Sequence, residues 1–574
     1  MNTIPVRTGT VIRVDGPLVE AAQATGMAMF DLVELGSTAI PGETVAIRDD
    51  RVTIQAYEYT GGLRPGDPVR GTHAPLTARL GPGLLGGVFD GLLRPLTGGP
   101  VWLRTGTRAA QPAGSEWTFT PAVRPGERVR AGQLIGTVAG SGSVDYRILA
   151  PAGVDGTLDA VAEPGMIQDH ADVATVDGTP VPMHERWPVR TPRPCRRRLT
   201  PDTPLQTGQR VIDLLFPVLK GSTVAVPGGF GTGKTVLLQQ IAKWCDADVI
   251  VYVGCGERGN EMADVVTELF ALPDPRTGGR LADRTVAIAN TSNMPMMARE
   301  ASVYSAVTVA EYFRDMGYDV LVIADSTSRW AEALREFATR NGALPAEEGY
   351  PADLASALAA FYERAGAVLT TEGRQGSVTI IGAVSPPGGD LTEPVTAHTQ
   401  RFVRCLWTLD RDLAYARHYP AVSWSGSFSR DTDRVAAWHS RHDAGAWAVA
   451  RARLLQSLAE GDRLSALAEL VGLSGLAAAE RVTVLTARLI REGVLRQNAQ
   501  SSNDGHCEVG KSAALVDAVL SVGDRIRADV DSGADPARYE ETDFGPLVRL
   551  RDTVGPSDAE AVSAGRDAML GRLP

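Results

Sequence analysis

Gly228, Gly229, Phe230, Gly231, Thr232, Gly233, Lys234 and Thr235 run consecutively in the pattern G-x-x-x-x-G-K-[ST]. These residue types in this order can hold a polyphosphate. Glycines let successive backbone N–H groups turn inward onto phosphate oxygens, and a helix beginning at the last glycine adds the positive end of its dipole. Lys234 would then meet the β/γ-phosphates, the Thr235 hydroxyl would face Mg²⁺, and Val236 completes the segment expected to line the nucleotide. The chain has only four lysines, Lys220, Lys234, Lys243 and Lys511, so a lysine at this place is not compositional filler. The alternative is a glycine-rich turn that merely starts a helix.

Two acids stand just past apolar, strand-like runs, where ligands bind in an open parallel sheet. Asp325 closes one run in Ala324-Asp-Ser-Thr-Ser-Arg329 and is expected to hold Mg²⁺ directly or through water. It could also cap a helix over Ser326 to Phe337, and the two roles are compatible. Glu257 follows another run in Gly254-Cys-Gly-Glu-Arg-Gly-Asn260. Glycines on one side and past its neighbour leave room for a water, and a carboxylate there would orient that water for in-line attack on phosphorus. A loop glutamate paired with Arg258 is the competing reading. Arg258 itself is assigned to lining the site, with pairing across a boundary between subunits as the alternative.

The elements that must position these residues are legible from periodicity. Residues 1 to about 70 alternate apolar and polar positions between Gly-Pro and Pro-Gly turns, as a small β-barrel does. A second turn-rich β segment lies between about 110 and 190. From about 210 to 390, β-branched runs at Ser222 to Pro227, Asp248 to Val253, Thr285 to Ala289, Val320 to Ala324 and Ser377 to Val384 alternate with helical stretches, the mark of a parallel sheet under helices. After about 430 the apolar spacing is helical. The expected fold class is multidomain: an N-terminal β-barrel, a β-rich insertion, a central RecA-like α/β phosphate-loop domain with a parallel sheet, and a C-terminal helical domain. The expected limits are 1–72 for the barrel, 73–109 and 190–430 for the nucleotide-binding domain, 110–189 for the insertion and 431–574 for the helices.

Bulk properties exclude several classes. A formal charge of −11 over 574 residues lacks the basic footprint of a nucleic-acid binder. Five scattered cysteines without a C-x-x-C pair argue against a disulfide framework or a zinc site. No apolar stretch is long enough to span a membrane, so the chain is expected to be cytoplasmic. The excess of arginine over lysine fits a G/C-rich, bacterial genome. The insertion resembles the hammerhead of biotinyl and lipoyl carriers at Val123 to Gly136 and Ile148 to Leu158, but it has no lysine to carry the cofactor, which leaves a structural block.

Beyond the phosphate loop, Pro204-Leu-Gln-Thr-Gly-Gln-Arg-Val-Ile-Asp213, the Glu257 segment, Ala289-Asn-Thr-Ser-Asn-Met-Pro295, the Asp325 segment through Glu336, Ser385-Pro-Pro-Gly-Gly-Asp390, Arg417-His-Tyr-Pro-Ala-Val-Ser-Trp424 and Ile490-Arg-Glu-Gly-Val-Leu-Arg-Gln-Asn-Ala499 resemble the catalytic A-type polypeptide of vacuolar/archaeal-type rotary ATPases. The resemblance covers nearly the whole chain. It implies MgATP hydrolysis or synthesis coupled to proton or sodium translocation. It also implies an alternating hexamer of three A-type and three B-type subunits, central and peripheral stalk subunits, and a location peripheral to the inner membrane, which is reached only through the complex. The adenine ring is expected against Tyr419 and Pro420, near Gln497. A transition-state arginine is expected from the B-type subunit. The 110–190 block separates the chain from flagellar or type III secretion ATPases, which lack it, and from the mitochondrial and chloroplast β subunit, which lacks it too.

Two departures stand out. Thr232 occupies the place where many eukaryotic relatives have a redox-active cysteine, and Asn498 to Cys507 is less acidic and aromatic than the family's stretch. Rival readings are a secretion or flagellar export ATPase, a Rho-like RNA translocase, and a non-catalytic nucleotide-binding subunit. The N-terminal barrel is neither basic nor aromatic-rich, which disfavours RNA translocation. Glu257 beside an intact loop speaks against the non-catalytic reading.

Overall fold

The computed structural model describes residues 8–24, 26–96, 116–140, 142–340, 342–442 and 445–574. Residues 97–115, part of the expected nucleotide-binding segment and the start of the insertion, lie outside the described residues. The chain forms two compact units, one of Met1–Thr200, Ala247–Val384 and Leu391–Phe402, the other of Pro201–Asp246, Ser385–Asp390 and Val403–Pro574.

In the first unit, six antiparallel strands close a barrel in the order Thr8–Asp15, Leu18–Ala22, Arg51–Ala56, Ile40–Arg48, Asp31–Leu35 and Pro68–Pro75. Alternate residues such as Val19 and Ala21, or Val33 and Leu35, fill its interior, as the two-residue period of a strand requires. The insertion builds two four-stranded antiparallel sheets. One contains Arg128–Val129, Gly156–Val161, Asp172–Val176 and Thr179–Pro182, the other Tyr146–Leu149, Leu134–Ala139, Glu116–Pro121 and Gly165–Gln168.

The same unit holds a parallel sheet in the order Gln375–Val384, Asp319–Asp325, Val249–Cys255, Thr285–Asn290 and Val88–Phe89. Val249–Cys255 is buried at every position, which is why its sequence is an unbroken apolar run instead of an alternation. Helix Met296–Asp315 is buried everywhere except Arg299, so its charges need partners. Glu300 pairs with Arg190 at 2.7 Å, Glu311 with Arg364 at 2.6 Å and Asp315 with Arg193 at 2.7 Å. Arg190 also reaches Glu43 at 3.1 Å, so a barrel strand and the central helix share one guanidinium.

In the second unit, Thr223–Pro227 lies parallel to Cys405–Leu406, which pairs antiparallel with Phe428–Ser429. Helix Lys234–Trp244 follows the first of these strands. Beyond Ser429 the described residues form helices, chiefly Thr432–Arg441, Trp447–Val471, Ala478–Ile490, Val509–Asp531, Gly545–Thr553 and Ala559–Leu570. Lys511 is wholly interior; its Nζ donates to the carbonyls of Asn503, Arg551 and Val554 at 2.8–2.9 Å.

All five expected core strands are present, each with ends within two residues of the expected limits. The fold class is the one expected, with barrel, β-rich insertion, parallel-sheet core and helical C-terminal part.

Candidate nucleotide site

Between strand Thr223–Pro227 and helix Lys234–Trp244, the loop turns through Gly231 at φ +81° and Gly233 at φ +82°. This left-handed backbone is cheap for glycine and strained for other residues. Gly228 is tight for a different reason: a Cβ there would lie 2.8 Å from the Leu409 Cβ and 2.9 Å from Thr232 Oγ1. Thr232 donates to the Gly229 carbonyl at 2.8 Å, bracing the loop from inside. Lys234 Nζ donates to the Gly228 carbonyl at 3.4 Å and to Ser385 Oγ. The ammonium is thus held folded back over the loop. Phe230 is 93% exposed at the tip and Val236 is half exposed on the first helical turn.

A cavity of about 510 Å³ adjoins the loop and is lined by Thr232, Gly233, Val236, Tyr419, Pro420 and Gln497, among others. A Cβ on Gly233 would come within 3.2 Å of the Tyr419 ring, so glycine is what lets the loop approach that aromatic face. The Tyr419–Pro420 peptide is cis. Gln497 is buried, and its amide is already committed: Nε2 donates to the Gly208 carbonyl at 2.8 Å and Oε1 accepts from the Arg210 N–H at 2.9 Å. Its backbone N–H donates to the Tyr419 carbonyl at 2.8 Å. Gln497 therefore fixes the wall carrying Tyr419. The sequence assigns no role to Gln240, Arg417, Arg496 and Arg551, which also line this cavity, nor to the Ser385 contact with Lys234. Ser385 carries a signal, because it directly follows a strand-like run, as Asp325 does.

In the first unit, Asp325 ends its strand and pairs in register with Gly254 of the neighbouring strand, three residues before Glu257. Asp325 is only 4% exposed and accepts from Tyr252 Oη at 3.2 Å. Burial, then the carboxylates of Asp325 and Glu257, hold the Tyr252 phenol well above its ordinary range, so it remains a donor. Gly256 has φ +75°, and a Cβ there would strike Arg329 Cβ at 2.7 Å and crowd the Arg299 side chain at 3.1 Å. The hydrogen bond to Glu332 raises the Arg329 titration point, with the charges of Glu332 and Glu257 adding to it against burial. Arg329 is thus a cation in electrostatic reach of Glu257 that the sequence does not single out. Arg258 stands immediately before helix Gly259–Ala271 without a side-chain capping bond, and its side chain is 72% exposed and 3.7 Å from Glu261.

Thr235 Oγ1 in the second unit and the Asp325 carboxylate in the first are each a hard oxygen donor, the kind of ligand that suits Mg²⁺. Among the described residues no group of three or more His, Cys, Asp or Glu could hold a metal ion.

A glycine-bent loop at a helix N-terminus, a lysine folded over it, an adjoining base-sized cavity and a parallel sheet with one strand ending in Asp325 define a phosphate-loop nucleotide-binding protein. Four family models match the chain. They are the ATP synthase alpha/beta beta-barrel domain at 11–73, the barrel-sandwich domain at 110–190, the nucleotide-binding domain at 208–429, and the C-terminal domain of V and A type ATP synthase at 436–529. The V-type ATP synthase alpha chain of Anaeromyxobacter sp. (strain K) is 47% identical over 575 residues, covering 99% of each chain. The corresponding polypeptide of the A-type ATP synthase of Methanopyrus kandleri is 47% identical over 537 residues, covering 92% of this chain and 91% of its own. The chain belongs to the V/A-type ATP synthase alpha-chain family. Among solved structures, the assembled ATPase EscN of the enteropathogenic E. coli type III secretion system shares the fold, with a TM-score of 0.64 at 22% identity over 90% of this chain and all of its own.

Proposed function

We propose that this chain is the catalytic subunit of a rotary V/A-type ATPase or ATP synthase, coupling MgATP hydrolysis or synthesis to proton or sodium translocation. The observation that carries the reading is the Lys234 loop with its Tyr419 cavity, set in a chain related end to end to V- and A-type ATP synthase subunits. The loop N–H groups and Lys234 bind the phosphates, and Tyr419 offers the base a flat face. Thr235 and Asp325 are the residues that would hold Mg²⁺, which supplies charge neutralisation on the phosphates. Glu257 accepts a hydrogen bond from the attacking water and orients it, and Arg258 lines the site. We divide the chain for this purpose at 1–72, 73–109 with 190–430, 110–189 and 431–574.

The reading extends to assembly. The chain works in an alternating hexamer with a B-type subunit, joined by central and peripheral stalk subunits, and reaches the membrane only through that complex, on its cytoplasmic side. Among the described residues no helix is long and apolar enough to cross a membrane. An arginine supplied by a partner is worth roughly 10³–10⁵ in rate at phosphate-loop sites. The isolated chain should therefore bind MgATP yet hydrolyse it slowly, and a B-type subunit should raise turnover by orders of magnitude. Full activity of the monomer, with oligomeric state checked by light scattering, would refute the shared-site model.

A further inference from the structure

A second cavity, of about 560 Å³, lies in the second unit, and none of its lining residues belongs to the phosphate loop or the Tyr419 cavity. Helices Arg210–Leu215, Thr432–Arg441, Trp447–Val471 and Val509–Asp531 contribute to its walls. Its lining is largely apolar, with Leu214, Trp447, Val516 and Leu520 as the large side chains.

The polar atoms on this lining are mostly acceptors. Ser512 Oγ and His439 Nδ1 are buried and have no hydrogen-bond partner among the described residues. Burial lowers the His439 titration point, with His442 adding to the effect, so the ring is neutral and one nitrogen can accept. At the rim, Asp524 is paired with Arg453 at 2.5 Å and Asp517 with Arg566. Asp213 differs from both. Its carboxylate accepts from Thr207 N, Thr207 Oγ1 and Gly208 N, but among the described residues no cationic side chain pairs with it. Burial pushes the Asp213 carboxyl up to about 7, so above that pH it is a carboxylate in a desolvated wall without a counter-cation, which, together with two orphaned buried acceptors, is costly unless a donor cation answers them.

We propose that this cavity is a binding site for a lipophilic ammonium ion, a primary amine on an apolar body, whose three N–H groups answer Asp213, Ser512 and His439. The apolar body lies against Trp447, Val516 and Leu520. A neutral ligand of the same shape leaves Asp213 uncompensated, and an anion is repelled by it.

The test uses the full-length chain at pH 8, where Asp213 is ionised, with saturating MgADP, so that the nucleotide cavity is filled. Calorimetric titrations compare 4-phenylbutylammonium, 4-phenylbutanol and 4-phenylbutanoate, which share one apolar body. The ammonium should bind at least about tenfold more tightly than the alcohol, the step expected of a hydrogen bond to a charged group, and the carboxylate should not bind. Asp213→Asn should bring the ammonium and alcohol affinities together. Because that change also touches the Thr207–Gly208 turn, Ala513→Trp serves as an independent variant: Ala513 is exposed on the cavity lining, and an indole there should block entry without disturbing the core. Equal affinity of ammonium and alcohol, ammonium binding unchanged by Ala513→Trp, or no ammonium binding would overturn the proposal.

Discussion

Arg210 and Asp504 meet at 2.7 Å with neither side chain reaching solvent. Asp504 also accepts from the Asn498 N–H at 2.8 Å and from Arg551 at 2.5 Å. Asn498, Arg551 and Gln209, the neighbour of Arg210, all line the Tyr419 cavity, so one carboxylate ties three of its walls together. Asp504→Ala leaves two guanidinium groups without their counter-charge, and losing one partner of a buried pair costs about 3–5 kcal/mol. The variant should unfold at clearly lower urea concentration and show a higher KM for MgATP with a smaller change in kcat. An unchanged midpoint and unchanged KM would contradict this role.

Lys234 holds the charge folded over the phosphate loop. Lys234→Ala should abolish MgATP turnover by the assembled complex and weaken nucleotide binding. Turnover above about a tenth of the parent rate would remove the phosphate loop from the mechanism.

Glu257 and Asp325 should separate by their kinetic signatures. Glu257→Gln is expected to keep MgATP affinity within a few-fold and lower kcat by about 10² or more, because a water-orienting bond matters mainly in the transition state. Equal damage to affinity would point to a structural role. Asp325→Asn should instead raise the Mg²⁺ concentration needed for half-maximal rate, and an unaltered metal dependence would reduce Asp325 to a strand-end hydrogen-bond acceptor for Tyr252.

Asp213 should leave a mark on stability against pH. Burial pushes its carboxyl from the ordinary 3.8 up to about 7, against the hydrogen bonds from Thr207 and Gly208. Between those values the folded chain keeps a proton that the unfolded chain has shed. The stabilisation is therefore complete below about pH 4 and is lost as pH rises through about 7. Asp213→Asn stays neutral throughout, so its melting temperature relative to the parent should be more favourable at pH 8 than at pH 5. An equal difference at both pH values would show that Asp213 does not titrate in this window.

The sequence discloses those parts of the proposed site that are written locally. A phosphate loop is a contiguous string, and Asp325 and Glu257 each follow an apolar run whose burial makes it readable. The parts that escape depend on distant partners. Arg210 meets Gln497 across 287 positions and Lys234 meets Ser385 across 151, and no local periodicity announces either. Gln497, expected near the base, does line that cavity, but its amide hydrogen bonds go to the Gly208–Arg210 backbone. Arg329 and Arg299 behind Gly256 are hidden for the same reason, since a side chain that crowds a glycine is visible only once both elements are folded.

The interior placement of Lys511 has a consequence for covalent chemistry. With its ammonium enclosed by three carbonyls, it is shielded from acylating reagents, and the side-chain amines left to react are those of Lys220, Lys234 and Lys243. Lys220 sits 3.1 Å from Asp246, and Lys243 lies over the Trp244 ring at 4.5 Å. In most proteins amine-directed labelling yields an unreadable mixture; here the lysine side chains that react reduce to three, one of them in the phosphate loop. Protection by nucleotide against a simple acylating agent would report occupancy of that loop on the native, unmutated chain.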